Sequence, residues 1–311
     1  MLAYVIRRLL YGIPILFGVT LITFLLFNIF GGNPVLQFLG KAASPADIAA
    51  LEHEYGFDRP LLVQYVDYVL QIVRLDFGRS FVTREPVTDM LLRGAGPSVS
   101  LTLPALMVTT ILAICIGIVA AFFRGRRTDR VIMSLAVFGM SISFLVYIIV
   151  GQYLLAFKWP LFQIHGYEPG PGERWQYLAL PIIILIIVGL GYDARFYRSV
   201  FAEEVSRDHV TTAYAKGAGK ARVMFIHVFK NALIPIITRI MISLPFLVTG
   251  SLLLESFFGI PGLGSMLLDA LNQSDFPVIK AYTVMISVLF ILSTILNDIL
   301  YALVDPRVRL E

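Results

Sequence analysis

Residues 99–123 read VSLTLPALMVTTILAICIGIVAAFF, an apolar run without a charged side chain, and Arg124 and Arg126 follow it. A helix of this length spans the hydrocarbon core of a bilayer, where no water can satisfy the backbone amide and carbonyl groups. The run therefore predicts a transmembrane helix with basic side chains at one end.

The rest of the chain has the same character. Of its 311 residues, 58% are hydrophobic and 15% are charged, whereas a soluble domain carries about 25% charged residues. The first apolar run follows Arg7 and Arg8, as in a signal peptide, but it is long and lacks a small-residue cleavage pattern, so we interpret it as a retained helix. We predict an all-α membrane protein with six transmembrane helices, at 9–30, 99–123, 131–157, 178–198, 236–256 and 281–304.

Lysine and arginine residues indicate the orientation of these helices, because short cytoplasmic loops are enriched in both. With six spans, the four basic clusters fall on one side of the membrane: 1–8, 124–130, 195–239 and the tail with Arg307 and Arg309. We therefore expect both termini to be cytoplasmic.

Several other classes of protein are disfavoured. The net charge of +4 is modest, and the basic residues lie at the ends of apolar runs, so we expect no nucleic-acid partner. The single cysteine, Cys115, cannot form an intrachain disulfide. The four histidines lack the spacing of metal ligands, and we expect no metal site: His53, His165, His209 and His227.

The loop at 31–98 is too long to be a simple connector. One helix is predicted to start at Ser44-Pro45-Ala46-Asp47 and to stop at Gly56, and a second follows Pro60. The second has a narrow polar stripe on an otherwise apolar rod, so we expect it at the outer membrane interface or against the bundle. It serves either packing or the docking of a binding protein. The stripe comprises Gln64, Asp67, Gln71 and Arg74.

Two further outer loops are predicted, at 158–177 and 257–280. The second contains Phe258-Gly259-Ile260-Pro261-Gly262-Leu263-Gly264, which favours a tight turn over a helix.

The segment 195–235 is a charged loop of the predicted cytoplasmic side. In Thr211-Thr212-Ala213-Tyr214-Ala215-Lys216-Gly217-Ala218-Gly219, small residues alternate with polar ones and end in glycines. A short helix of this kind lets a partner approach closely, although an ordinary helical connection has a similar composition. The segment is not a nucleotide-binding P-loop, because position 214 is tyrosine and position 221 is alanine.

The chain resembles the permeases of ABC importers, and in particular the first permease subunit of the oligopeptide, dipeptide and nickel uptake family. The stretch from Ala213 to Gly217, followed by 231–235, resembles the cytoplasmic signature loop of these permeases. Gly217 keeps the family's glycine spacing, while Thr211 stands where the general pattern has glutamate. The matching pieces, in order, are Arg7-Arg8-Leu9-Leu10, Ile13-Pro14, Tyr55-Gly56-Phe57-Asp58-Arg59-Pro60, Asp76-Phe77-Gly78-Arg79-Ser80, Pro97-Ser98, Ala215-Lys216-Gly217, Asn231-Ala232, Glu255 to Phe258, Pro261-Gly262-Leu263-Gly264, Asp275-Phe276-Pro277, Asp298, Tyr301 and Asp305-Pro306-Arg307.

The resemblance implies a type I ABC importer permease fold in the cytoplasmic membrane of a bacterium or archaeon. It implies that a second homologous permease, two ATPase domains and an extracytoplasmic binding protein are partners, with membrane lipid around them. ATP and magnesium would be bound by the ATPase subunits, and this chain would hold no cofactor and catalyse no reaction. The docking role carries over to one group of residues in the loop: Thr212, Ala213, Ala215, Lys216, Gly217, Ala218, Gly219 and Lys220.

Polar residues inside membrane segments are costly and are therefore candidates for function. We predict a translocation path or gate among them, with packing between helices as the alternative. Because Glu255 and Asp298 lie near the ends of their runs, we expect water to reach both. The candidates are Asn28, Gln152, Glu255, Asn297 and Asp298.

Two other functions compete with an ATP-driven importer. A secondary transporter coupled to an ion gradient predicts internal repeats, and no repeat is evident between the two halves. A membrane-embedded protease predicts a base within a span, and none of the predicted spans contains a histidine. The sequence does not select the solute among peptides, nickel chelates, glutathione and antimicrobial peptides.

Overall fold

The computed structural model of the chain describes residues 2–30, 44, 46, 49, 50, 52, 53, 56, 58–170 and 172–304, with backbone alone for 2–5, 29 and 30. The regular elements in these residues are helices. In chain order they are α1 (Leu2–Leu25, continued by a π-helical turn at Leu26–Phe30), α2 (Leu61–Val73), α3 (Val87–Phe122), α4 (Arg127–Ser141), α5 (Phe144–Lys158), α6 (Arg174–Val205), α7 (Asp208–Ala215), α8 (Lys220–Asn231), α9 (Leu233–Thr249), α10 (Leu252–Phe258), α11 (Leu263–Asn272) and α12 (Phe276–Val304).

Four helices of the described part are long and apolar enough to cross a membrane, namely Ile6–Asn28 within α1 and its π-helical turn, α3, α6 and α12. Three bent pairs also qualify when each is taken together: α4 with α5, α8 with α9, and α10 with α11. The described residues therefore contain between four and seven candidate spans, and the count of six stays a prediction.

Two predicted runs are not single helices. The run at 131–157 bends by 87° between Ser141 and Phe144. Ile142 and Ser143 there have extended backbones. The Tyr147 hydroxyl donates to the Gly139 carbonyl at 2.9 Å and holds α5 against α4. The run at 236–256 is broken at Gly250, whose φ of 72° and ψ of −169° form a conformation open almost only to glycine.

The tight turn predicted at Phe258–Gly264 is right only in part. The turn is confined to Gly259–Gly262, and the rest of the predicted loop at 257–280 contains the helix α11. The cause is the pattern from Leu263 to Asn272, which is a good helical sequence once Gly262 provides the N-cap.

Helices α3 and α6 form the centre of the bundle. At Gly117 they approach so closely that a Cβ would lie 2.9 Å from the Cβ of Tyr197. Small residues allow such approaches between membrane helices, where van der Waals packing drives association. Tyr197 and Phe201 of α6 are fully buried and begin a core that continues into α7 and α8.

The helix predicted after Pro60 is α2, and it packs on α1. The Tyr65 hydroxyl lies 3.1 Å from the Thr20 hydroxyl, and the Tyr65 ring meets Phe24 edge-on. Leu62 and Val73 of α2 are about three-quarters exposed, at 76% and 75%. The preceding helix, predicted from Ser44 to Gly56, lies largely outside the described residues.

Candidate functional site

The turn between α7 and α8 closes in a glycine-dependent geometry. The Ala218 amide donates to the Ala213 carbonyl at 3.1 Å, and the Gly217 amide donates to the Tyr214 carbonyl at 2.9 Å. This is the Schellman arrangement, which needs a left-handed residue after the helix. Gly217 supplies it with a φ of 80°. The sequence folds this way because glycine takes that conformation without a Cβ penalty.

The same hairpin is anchored to α6 by a shared apolar core. Val210 of α7 and Val223 of α8 are almost completely buried against Phe201. Near the start of the hairpin, Glu204 pairs with Arg207 at 3.0 Å and lies 3.4 Å from the His209 ring. Because these contacts fix the base of the hairpin, its tip is held as one body with α6.

The residues predicted for docking mostly lie on the outer face of the hairpin. Thr212, Ala215, Lys216, Gly217, Gly219 and Lys220 are exposed, and Ala218 is partly exposed. Ala213 differs, because its side chain is 6% exposed and belongs to the core under α7. Its methyl group is therefore turned away from any partner in this conformation.

The sequence interpretation missed three large apolar side chains on the same hairpin. Tyr214 is 40% exposed, Phe225 63% and Ile226 50%, although they lie in a charged loop. In α8, Val223 and Val228 face the core while Phe225 and Ile226 face outward. A helix that is apolar on both faces is normally covered on both, and that pattern could have identified these residues.

Lys220 connects the hairpin to the end of α3. Its Nζ donates to the Phe122 carbonyl at 2.9 Å and lies 4.1 Å from the centroid of the Phe122 ring. A cation at a helix C-terminus satisfies an otherwise free carbonyl and interacts favourably with the helix dipole. Lys220 is thus a mechanical link between the hairpin and a membrane helix as well as an exposed residue.

A buried carboxylate lies at the other candidate site. Glu255 of α10 is 0% exposed, so the expectation that water reaches it is wrong. The reason is that the folded chain surrounds the carboxyl group with hydrogen-bond donors. Its Oε1 accepts from the Ser98 hydroxyl at 2.8 Å and the Ser251 amide at 3.2 Å. Its Oε2 accepts from the Gly264 amide at 2.7 Å and the Ser265 amide at 3.1 Å.

The Glu255 network fixes the bend between α10 and α11, whose axes differ by 91°. The carboxylate takes the place of solvent for the free amides at the start of α11. A Cβ at Gly250 or at Gly262 would overlap the Glu255 carboxyl group. The close fit of these glycines against the carboxyl group therefore leaves no room for a larger residue at either position, and the carboxylate holds α10 against α11. Its predicted place in a translocation path stays a prediction.

The remaining polar candidates are not gathered into one cluster with Glu255. Gln152 donates to the carbonyl groups of Ile164 and Phe257, both at 3.1 Å. Asp298 pairs with Arg8 of α1 at 3.2 Å. Asn28 and Asn297 each have a buried amide atom, Nδ2 and Oδ1 respectively, without a hydrogen-bond partner among the described residues.

Within the described ranges no group of three His, Cys, Asp or Glu residues is placed to hold a metal ion. What the site presents chemically is a rigid exposed hairpin and a set of buried polar contacts that join helices.

The chain matches two known families of membrane transport components. Residues 113–310 match the family described as binding-protein-dependent transport system inner membrane component. Residues 1–102 match the N-terminal family of the same systems. The chain belongs to the binding-protein-dependent transport permeases. The boundary between the two matches lies inside α3, so one helix carries both parts of the permease. The resemblance inferred from the sequence is confirmed.

Individual relatives align with this chain over nearly its whole length. The glutathione transport system permease protein GsiC of Salmonella typhi is 36% identical over 311 residues, covering 99% of both chains. GsiC of Shigella flexneri serotype 5b has the same identity and coverage. A putative peptide transport system permease protein of Brucella abortus (strain 2308) is 33% identical over 314 residues, covering 100% of both. The chain is accordingly a multi-pass inner-membrane permease component of the peptide-transport type.

Proposed function

We propose that this permease pairs with a second homologous permease to form the path by which peptides or related small solutes enter the cell. An extracytoplasmic binding protein delivers the solute, and two ATPase domains, which bind ATP and magnesium, drive the cycle. The relatives are named for glutathione and peptide transport. Because glutathione is itself a small peptide, a peptide is the solute class that these names have in common.

The observation that carries the proposal is the exposed tip of the α7–α8 hairpin. Thr212, Lys216 and Gly219 are exposed there beside Phe225 and Ile226. Interface cores combine large apolar anchors with surroundings that exclude water. Small residues around such anchors let a partner's backbone approach. We assign this surface to an ATPase subunit, and we place it, with both termini, on the cytoplasmic side.

The anchoring of the hairpin supports a role in transmitting force. Phe201 ties the hairpin to α6, and Lys220 ties it to the end of α3 at Phe122. A displacement of the tip is therefore passed to the two helices at the centre of the bundle. The permease then needs only two arrangements of these helices that bind the ATPase and the solute differently. ATP-driven closure would favour one arrangement, and hydrolysis with product release would favour the other.

The test is co-purification of tagged permease from native membranes in mild detergent, with ATPase activity assayed in each eluate. Gly219→Trp is the preferred variant, because a Cβ at Gly219 meets no atom within 4 Å and its φ is −65°. A substitution at Gly217 would also strain the backbone at its φ of 80°. Gly172→Trp is the matched control, since Gly172 is also exposed and open.

We expect the wild type and Gly172→Trp to retain an ATPase subunit and a second permease. We expect Gly219→Trp to lose the ATPase subunit and keep the second permease. A wild-type chain that purifies alone, without ATPase activity, would contradict the importer proposal and favour an ion-coupled transporter. Full ATPase retention by Gly219→Trp would contradict the docking role alone.

A further inference from the structure

A cavity of about 480 Å³ lies between α1, α2, the segment after α2 and the start of α12. The polar stripe of α2 lines it, so the stripe faces inward while the apolar face with Leu62 and Val73 faces outward. The other lining residues that matter here are Phe24, Asn28, Tyr68, Phe77, Phe276 and Lys280.

Three polar side chains of this cavity have no polar partner among the described residues. Tyr68 is 8% exposed, and its buried hydroxyl makes no hydrogen bond. The buried Nδ2 of Asn28 makes none either. Buried polar groups are nearly always paired, since an unpaired one loses its hydration without compensation. Two such groups in the lining of one cavity indicate that something else completes it.

The third group is the ammonium of Lys280. It has no carboxylate within ion-pair distance among the described residues and meets only aromatic rings. Its Nζ lies 5.6 Å from the centroid of Phe24 and 5.3 Å from that of Tyr68. Rings stabilise a cation less than an anion does. The missing partner is therefore an anion.

The part of the lining that the described residues form has an excess of positive charge. Arg59, Arg74, Arg79 and Lys280 line it against a single carboxylate, Asp67, which already pairs with Arg59 at 3.1 Å. The same cavity has aromatic walls, including Phe24, Phe77 and Phe276. An occupant with an anionic oxygen group and an apolar body fits both features.

We propose that this cavity binds the phosphate group of an anionic phospholipid, with Lys280, Tyr68 and Asn28 as its ligands. The aromatic walls contributed by Phe24, Phe77 and Phe276 provide an apolar surface for the start of the acyl chains. A free anion would satisfy the same three side chains, so the experiment separates the two sources. The inference does not depend on the docking role of the α7–α8 hairpin.

The test is native mass spectrometry of the permease in the complex purified from its own membrane, delipidated and titrated with phosphatidylglycerol, phosphatidylcholine or inorganic phosphate. Tyr68→Phe removes a hydroxyl that has no hydrogen-bond partner among the described residues, so we expect normal stability but about tenfold weaker phosphatidylglycerol binding. Tyr65→Phe is the matched control, because the Tyr65 hydroxyl is used internally, near Thr20 and the Phe17 carbonyl. It should lower stability and leave binding unchanged.

Lys280→Gln should weaken phosphatidylglycerol binding at least as much as Tyr68→Phe. Saturable binding of phosphatidylglycerol over phosphatidylcholine, lost in both variants, supports the proposal. Binding of inorganic phosphate alone that competes with the lipid would assign the cavity to a free anion and overturn the lipid assignment. Equal lipid binding by the wild type, Tyr68→Phe and Lys280→Gln would overturn the site itself.

Discussion

The hydroxyl of Ser98 donates to Oε1 of Glu255 at 2.8 Å, across 157 positions of sequence. The same hydroxyl oxygen accepts the amide of Leu263 at 2.8 Å. Ser98 thereby joins α3 both to the buried carboxylate of α10 and to the first residue of α11. One side chain thus couples the long helix α3 to the bent pair α10–α11.

Glu255→Gln should destabilise the permease. The carboxylate accepts at both oxygens, and an amide would place an NH₂ donor against backbone donors such as the Gly264 amide. Each buried group left unsatisfied costs roughly 1–3 kcal/mol. We expect a lower melting temperature in detergent, measured by the loss of monodisperse protein on heating. Glu168→Gln, at an exposed position, is the control and should melt like the wild type. Equal melting of the two variants would contradict the structural role of Glu255.

Gly262→Ala tests the steric side of the same network. A Cβ at Gly262 would overlap the Glu255 carboxyl group, whereas a Cβ at Gly96 meets no atom within 4 Å. Overpacking of this kind costs about 1–3 kcal/mol. We expect Gly262→Ala to lower the yield and melting temperature of purified protein. Gly96→Ala, inside α3, should be neutral or stabilising by about 0.5–1 kcal/mol. A tolerated Gly262→Ala would show that α10 and α11 can separate without cost.

Asp275→Ala should loosen the segment between α2 and α3. Asp275 is 3% exposed, forms a short hydrogen bond with the buried Ser80 hydroxyl and accepts the Phe81 amide at 3.0 Å. Without it, two donors lose their acceptor. We expect faster hydrogen–deuterium exchange in peptides covering 76–86, while the rest of the permease exchanges normally. Asp269→Ala, exposed on α11, serves as the control. Unchanged exchange at 76–86 would mean that other contacts hold this segment.

Lys220→Met should separate docking from transmission of force. The variant removes the bond to the Phe122 carbonyl but leaves Phe225 and Ile226 available to the ATPase. We expect the ATPase subunit to co-purify normally, with solute-stimulated ATPase activity reduced roughly fivefold, the equivalent of about 1 kcal/mol. Lys230→Met, at another exposed lysine of the hairpin, should behave like the wild type. Loss of co-purification instead would support the docking role that the sequence predicts for Lys220 and would contradict a role confined to transmission of force.

Arg8 and Asp298 should behave as a coupled pair that fastens α1 to α12. Their side chains are 40% and 16% exposed at a separation of 3.2 Å. We expect Arg8→Gln and Asp298→Asn each to lower the free energy of unfolding by about 1–3 kcal/mol, and the double variant to lose little more than either. The exposed pair Arg207 and Glu203, at 3.5 Å, should show a coupling below about 1 kcal/mol. Additive effects at Arg8 and Asp298 would exclude a direct interaction.

The geometry of the α7–α8 hairpin was predictable from sequence to a large extent. Its small residues, which end in Gly217 and Gly219, predict a short helix capped by glycine. The helix α7 ends at Ala215, and Gly217 follows in the left-handed conformation. Which side chains face out was not predictable in the same way. Ala213 and Ala215 differ by two positions, yet the first is buried and the second is exposed, because only the packing of α7 on Phe201 selects the inner face.

The sequence by itself determined that the chain is a helical membrane protein, because long uncharged apolar runs form helices in a bilayer. Its motifs added the resemblance to a permease family. Only the tertiary structure decided that Glu255 is buried and that the chain bends at Ser141–Phe144 and at Gly250. A carboxylate near the end of an apolar run can be solvated or buried with equal local propensity. Its burial depends on donors from Ser98 and Gly264, which only the folded chain brings together. The local sequence pattern limits the conformations that a segment can adopt. Contacts between residues that are distant in sequence select one of them.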